Sequence, residues 1–301
     1  MLLGFQFTTF ADIPAKILRF NKFKFNPKKN SMFTRMRIHT FAIAGCGKLA
    51  HIIVEALSKD LLPQYKLIAS YSRTFEKAQE IADKIEISKV GYACRPCHSF
   101  DELLQLKPDY IVETASPAAF KEWALPALKN GSSIITLSIG ALADAEFYKT
   151  VELTALENNT RVHLASGAIG GFDVLRTTSL MEDSEVTFTT QKGPNSLKNT
   201  SVYKANLQKE KCEVFAGDAK GAIALFPTHV NVAVAAALAS VGPDKLQVSI
   251  NSIPGFVGDN HRIELKSEQV HAVVDVYSKT AQIAGWSVVN TMRNILSPIV
   301  F

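Results

Sequence analysis

Two glycines set between an apolar strand and an amphipathic helix constrain this chain more than any other feature. Residues 38–44 form an apolar run that reads as a buried strand. Residues 48–59 read as a helix with Leu49, Ile52, Ile53 and Ala56 on one face. Between them stands Gly45-Cys46-Gly47-Lys48-Leu49-Ala50, a G-x-G-x-x-A turn. In such a turn the first glycine permits a sharp reversal, and the second lets backbone close on a pyrophosphate. The small third residue lets helix and strand pack closely. The helix N-terminus then offers free N–H groups and positive potential to phosphates. Gly45, Gly47, Lys48 and Leu49 are therefore candidate dinucleotide contacts. The competing reading is a glycine turn over an empty crevice. Cys46 lies beside the expected pyrophosphate, so a thiol reagent there is expected to block the dinucleotide.

The pattern after this turn keeps alternating. Residues 66–71, 110–113 and 133–137 read as strands, and 74–85 and 117–129 as helices. The second helix has Pro117 at its start and Gly131 past its end, where each is tolerated best. Alternation of this kind predicts an α/β, Rossmann-type doubly wound parallel sheet. The end of the second strand, Ala69-Ser70-Tyr71-Ser72-Arg73-Thr74, lacks the acid that would bond a ribose 2′-hydroxyl. Ser72 and Arg73 are candidates to take a 2′-phosphate, since arginine presents its donors as a fixed fork. An exposed arginine at a helix start is the plain alternative, so NAD or NADP is the cofactor expected. Glu113-Thr114-Ala115-Ser116-Pro117 leaves a strand at the carboxyl edge of the sheet, which makes Ala115 a candidate on the nicotinamide side.

The later half changes character. Residues 185–191, 211–215, 245–250, 261–266 and 270–277 read as strands, with a helix at 231–239, so a second α+β domain with a mostly antiparallel sheet is expected. A final helix at 279–295 is expected to pack back on the first domain. The 301 residues suit this division. The expected boundaries are a basic, poorly ordered leader at 1–37, a dinucleotide-binding domain at 38–140, a catalytic or substrate domain at 141–277, and a C-terminal helix at 278–301.

Charge is uneven. Residues 1–37 hold eight lysines and arginines against one acid, Asp12, and the remaining 264 residues hold 25 bases and 27 acids. The basic balance belongs to the leader, and the folded body carries no sign of nucleic-acid binding. The leader's composition fits a mitochondrial transit peptide; an extension upstream of a start at Met32 or Met36 fits as well. A cytoplasmic protein, with a mitochondrial alternative, is expected. The longest nearly apolar stretch, 230–241, is too short to span a bilayer, so no membrane role is expected. Four cysteines do not make a disulfide scaffold. Cys94-Arg95-Pro96-Cys97-His98 matches the haem-attachment pattern, but without supporting context it reads as a free-thiol loop, and no metal is expected.

Three segments carry the remaining information. Ala165-Ser166-Gly167-Ala168-Ile169-Gly170-Gly171-Phe172-Asp173 is rich enough in glycine for close backbone approach to a ligand. Ser166, Gly167 and Gly170 are candidates to present backbone N–H groups to a substrate carboxylate. Phe226-Pro227-Thr228-His229-Val230-Asn231-Val232-Ala233 opens a helix, and Asp259-Asn260-His261-Arg262-Ile263 enters a strand. Histidine titrates near neutrality, so His261 is the candidate general base. Read without further context, an ordinary strand histidine is the better reading.

These segments, with the Leu-Ser-Ile-Gly-Ala-Leu-Ala-Asp stretch at 137–144, resemble the L-aspartate dehydrogenase family. The ASGAIGG and F-P-x-x-x-N-V-A runs are specific to that family; the glycine turn is shared by many dehydrogenases. The resemblance implies NAD(P)-dependent oxidative deamination of L-aspartate to oxaloacetate and ammonia through iminoaspartate, or the reverse amination. It also implies a role in NAD biosynthesis, a small-molecule substrate and a homodimer. It puts the active-site histidine at His261 and cofactor contacts at Ala168 and Asn231. The family's usual first Asn of an Asn-x-Asn pair is His229 here, a candidate substrate contact. That departure keeps two alternatives open: a related two-domain oxidoreductase on another small acid, and an inactive nucleotide-binding sensor.

Overall fold

The computed structural model describes residues 37–88, 90–227 and 230–300. The expected leader, apart from Arg37, lies outside the described residues, as does His229. Ile38–Phe301 forms one compact unit. Its chain runs β1 (His39–Ala44), α1 (Lys48–Ser58), β2 (Tyr65–Tyr71), α2 (Phe75–Ile87), β3 (Arg95–Cys97), α3 (Phe100–Gln105), β4 (Tyr110–Glu113), α4 (Pro117–Lys129), β5 (Ser133–Thr136), α5 (Ala145–Glu157) and β6 (Val162–Leu164). These six strands form one parallel sheet in the order β3-β2-β1-β4-β5-β6. The order reverses direction between β1 and β4, which creates the crevice where such sheets bind ligands.

The central strand explains its own sequence. Phe41 and Ile43 face a core shared with α1, while Ala42 and Ala44 face a second core holding Phe120 and Trp123 of α4. A strand buried on both faces reads as a continuous apolar run instead of alternating. α4 starts as expected, with Pro117 in its first turn and the Ser116 hydroxyl accepting the Ala119 N–H at 3.2 Å.

Two expectations change here. The first sheet runs past the expected boundary at residue 140, because Val162–Leu164 pairs in parallel with β5. The segment expected as a free-thiol loop supplies edge strand β3, with Cys94 and Cys97 both buried. Three residues are too few to show a period.

The chain continues through α6 (Phe172–Met181), β7 (Glu185–Lys192), β8 (Cys212–Asp218), α7 (Ala219–Leu225), α8 (Asn231–Leu238), β9 (Gln247–Ser252), β10 (Asp259–Lys266), β11 (His271–Ser278) and α9 (Gln282–Leu296). The second sheet has the order β11-β10-β7-β9-β8. Every neighbouring pair is antiparallel except β7 with β9. Val186, Phe188, Val248, Ile250, Ile263 and Leu265 turn inward against the alanines of α8. α9 returns to the first sheet: Val288, Val289 and Met292 join Phe41, Ile43 and Ile53 in one core. The buried Tyr65 hydroxyl donates to the Met292 carbonyl at 2.8 Å.

Candidate active site

The crevice between β1 and β4 is closed at its base by contact between two turns. Gly45 sits at φ +100°, and a Cβ built there would lie 2.6 Å from the Cβ of Ala115. No residue with a side chain fits. The Thr114 hydroxyl donates to the Gly45 carbonyl at 2.6 Å, tying the loop after β4 to the glycine turn. Gly47 differs: it precedes α1 with φ −85°, and a Cβ there would meet nothing within 4 Å. No side chain caps α1 and no acid stands in its first turn, so its N–H groups and positive dipole end are open to an anion. That open, uncapped end fits a dinucleotide pyrophosphate. Lys48 is exposed and Leu49 half-buried at the same end. Ser72, half-buried, and Arg73, exposed, follow β2 beside it. Cys46 is buried, its thiol donating to the Tyr71 carbonyl, and burial above all pushes its pKa up to about 12. A thiol held protonated and out of solvent does not alkylate readily, so the expected block by thiol reagents does not follow.

Glu113, at the end of β4, is 1% exposed and was not singled out as functional from sequence. Its carboxylate accepts from the Ala115 N–H at 2.7 Å, the Ser116 N–H at 3.0 Å, the Thr136 hydroxyl at 2.5 Å and the Ser138 hydroxyl at 3.0 Å. Burial raises its pKa, and these four donors oppose the rise. One side chain thus holds the loop after β4 and the loop after β5.

The loop after β5 reaches the second half through Asn231. The Gly140 N–H donates to Asn231 Oδ1 at 2.8 Å, and a Cβ at Gly140 would strike that oxygen and Ile223. With Oδ1 accepting from Gly140, the Nδ2 amide group of Asn231, which donates to nothing among the described residues, is the donor available to a ligand.

The ASGAIGG run is tied to four elements. The Ala165 N–H donates to the Thr136 carbonyl of β5, and the Gly167 N–H donates to the Ser287 hydroxyl of α9 at 3.0 Å. Ile169 is buried in the core under the second sheet, and a Cβ on Gly171, at φ +76°, would lie 2.5 Å from Val274 of β11. Because the Gly167 N–H is already spent, it leaves the expected carboxylate-binding set. Ser166, Ala168 and Gly170 remain half-buried along the run.

His261 lies on β10, between Thr190 of β7 and Val276 of β11, and is 4% exposed. Its ring stacks on Phe188 with centroids 5.7 Å apart, and its Nδ1 has no hydrogen-bond partner among the described residues. Burial, then the charge of Lys192, hold its pKa down to about 4 against the opposing pull of Asp259. The imidazole is therefore neutral at pH 7, the form that accepts a proton.

The geometry brings Gly45 against Ala115, Asn231 against Gly140, and His261 beside Lys192 and Asp259. Glu113 and Lys192 are the residues that sequence reasoning passed over. For Lys192 a signal was present: it continues the inward-facing set Val186, Phe188, Thr190.

Comparison with known proteins fits this division. Residues 45–165 match the family model described as homoserine dehydrogenase, NAD binding domain, and residues 173–295 match aspartate dehydrogenase, C-terminal. The L-aspartate dehydrogenase of Methanococcus maripaludis is 31% identical over 268 residues, covering 85% of this chain and 97% of that protein. That of Methanocaldococcus jannaschii is 30% identical over the same span and coverage. The crystal structure of aspartate dehydrogenase from Thermotoga maritima superimposes with a TM-score of 0.68 at 29% identity, covering 88% of this chain and all of that one.

Proposed function

Because the chain belongs to the L-aspartate dehydrogenase family, we propose that it converts L-aspartate to oxaloacetate and ammonia through iminoaspartate, or runs the reverse amination. It is an NAD(P)-dependent oxidoreductase. One observation carries the catalytic reading: a buried histidine kept neutral, His261, on the half of the chain that matches the aspartate dehydrogenase model.

Oxidising an amine requires a proton to leave nitrogen as hydride leaves carbon. The nicotinamide of NAD or NADP supplies the hydride acceptor when bound. The open N-terminus of α1, with Gly45, Gly47, Lys48 and Leu49, would hold the pyrophosphate. Ser72 and Arg73 would meet a 2′-phosphate, and Ala115, Ala168 and the Asn231 Nδ2 amide group would orient the nicotinamide half. His261 takes the proton from the substrate nitrogen and then polarises the water that attacks the imine carbon. We assign the N–H groups of Ser166 and Gly170 to a substrate carboxylate, and His229 to the substrate by family position alone.

We assign the iminoaspartate to NAD biosynthesis as its metabolic use. We take the assembly to be a homodimer, as the family resemblance implies. Among the described residues no helix is long and apolar enough to cross a membrane. Free thiols at Cys46, Cys94, Cys97 and Cys212 support a reducing compartment, for which we take the cytosol.

A steady-state assay of the full chain with oxaloacetate, ammonia and each reduced cofactor tests the reading. Cofactor oxidation that needs both substrates is expected. Turnover only with a different small acid would replace aspartate as substrate, and cofactor binding without any turnover would make the chain a sensor.

A further inference from the structure

We propose that Lys192 is the cation that binds a carboxylate of the substrate, and so makes the site selective for dicarboxylates. This rests on the dicarboxylate reading above. Lys192 is the one lysine or arginine buried among the described residues, at 5% exposure. Its ammonium lies 3.0 Å from Asp259 Oδ1, and that aspartate side chain is one-third exposed. Taking an ammonium out of water is costly unless its partners compensate. A single partly solvated carboxylate uses one of three donors.

The register explains what the other donors face. Along β7 the inward residues are Val186, Phe188, Thr190 and Lys192, so the apolar face turns polar at one end. Lys192 stands opposite Asp259 on β10 and Ser252 on β9, and Thr190 stands opposite His261. Lys192 is thus one row beyond the imidazole on the same face, a diagonal neighbour within reach of a long side chain. The hydroxyls of Thr190 and Ser252 are buried and have no hydrogen-bond partner among the described residues, as is the case for His261 Nδ1. An ammonium flanked by two uncommitted hydroxyls is a donor set for carboxylate oxygens. A purely structural ion pair would leave those hydroxyls with nothing to do. With one carboxylate on Lys192, the reacting carbon and its nitrogen fall toward His261. The same contact offsets the lysine charge that depresses the imidazole. Among the described residues, Lys192 and Asp259 are the charged groups that act on His261, so substrate binding strengthens the base.

The test uses the full chain with succinate as the dicarboxylate probe and butyrate as the monocarboxylate, by calorimetry. The wild type is expected to prefer succinate. Lys192→Met should weaken succinate by roughly tenfold to a hundredfold, the usual range for a hydrogen bond to a charged group. Butyrate binding and NADPH affinity by fluorescence should hold. Asp259→Asn frees the ammonium and should keep or tighten succinate binding. Lys192→Met/Asp259→Asn removes the pair without a stranded charge, and should still lose succinate if the single variant folds poorly. The acid limb of kcat/KM should move up in pH in Lys192→Met. Succinate binding that survives in both lysine variants would overturn the proposal, as would equal loss in Lys192→Met and Asp259→Asn. A wild type that binds NADPH but neither binds succinate nor turns over aspartate would sink the dicarboxylate reading itself.

Discussion

His261 and Glu113 show how burial sets charge one residue at a time. His261→Ala is expected to cut turnover by at least about a hundredfold, the lower range for general acid–base catalysis, while NADPH affinity measured by fluorescence stays intact. The free-enzyme pKa appears in the acid limb of kcat/KM. That limb should fall near pH 4, well below the ordinary histidine value of 6.5. The same shift affects stability. Between those two values the unfolded chain binds a proton that the folded chain refuses, so the contribution is complete above pH 6.5 and is lost as pH falls toward 4. Glu113→Ala would strand two backbone N–H groups and two hydroxyls, and should cost at least about 2 kcal/mol in denaturant unfolding. Glu113 did not stand out in the sequence, and Lys192 showed only as the polar end of an inward-facing set. A carboxylate satisfied by backbone and hydroxyls has no partner of opposite charge to search for, and Lys192 finds Asp259 only through a strand pairing that spans 67 residues.

Among the elements, legibility followed length and period. β1 and α4 were readable because burial on both faces and end residues each leave a mark. β3, three residues long, was not, because its place comes from pairing with β2 and not from composition. The glycine turn was legible in purpose, but its two glycines do separate jobs that only the packing distinguishes. Gly45→Ala meets Ala115 at 2.6 Å with a strained φ, and should lower Tm and dinucleotide affinity together. Gly47→Ala meets nothing within 4 Å and has an ordinary φ, so Tm should hold while NADPH affinity drops. Paired thermal melts and fluorescence titrations of the two variants check this. A fall in Tm for Gly47→Ala would show that its role is structural.

On the scale of the whole molecule, the two sheets meet through the Asn231–Gly140 bond, the ASGAIGG run and α9. The alternation of the first half and the strand-rich second half were readable. The crossing points were not, since they depend on groups far apart in the chain, such as Gly167 and Ser287. Deleting 282–301 removes Val288, Val289 and Met292 from the core around Phe41. At roughly 1.5–3 kcal/mol for each buried side chain, that loss is comparable to the net stability of a domain. The truncated chain should therefore aggregate on expression, measured as soluble yield.

The return of α9 to β1 also sets the order of events during synthesis. The half that carries the glycine turn is translated first, yet the side chains that finish its core follow only after the whole second sheet. The nascent N-terminal sheet must wait with one apolar face uncovered while the second sheet is made. Chaperone attendance is most needed over that interval, and the crevice acquires its full shape only once α9 has docked.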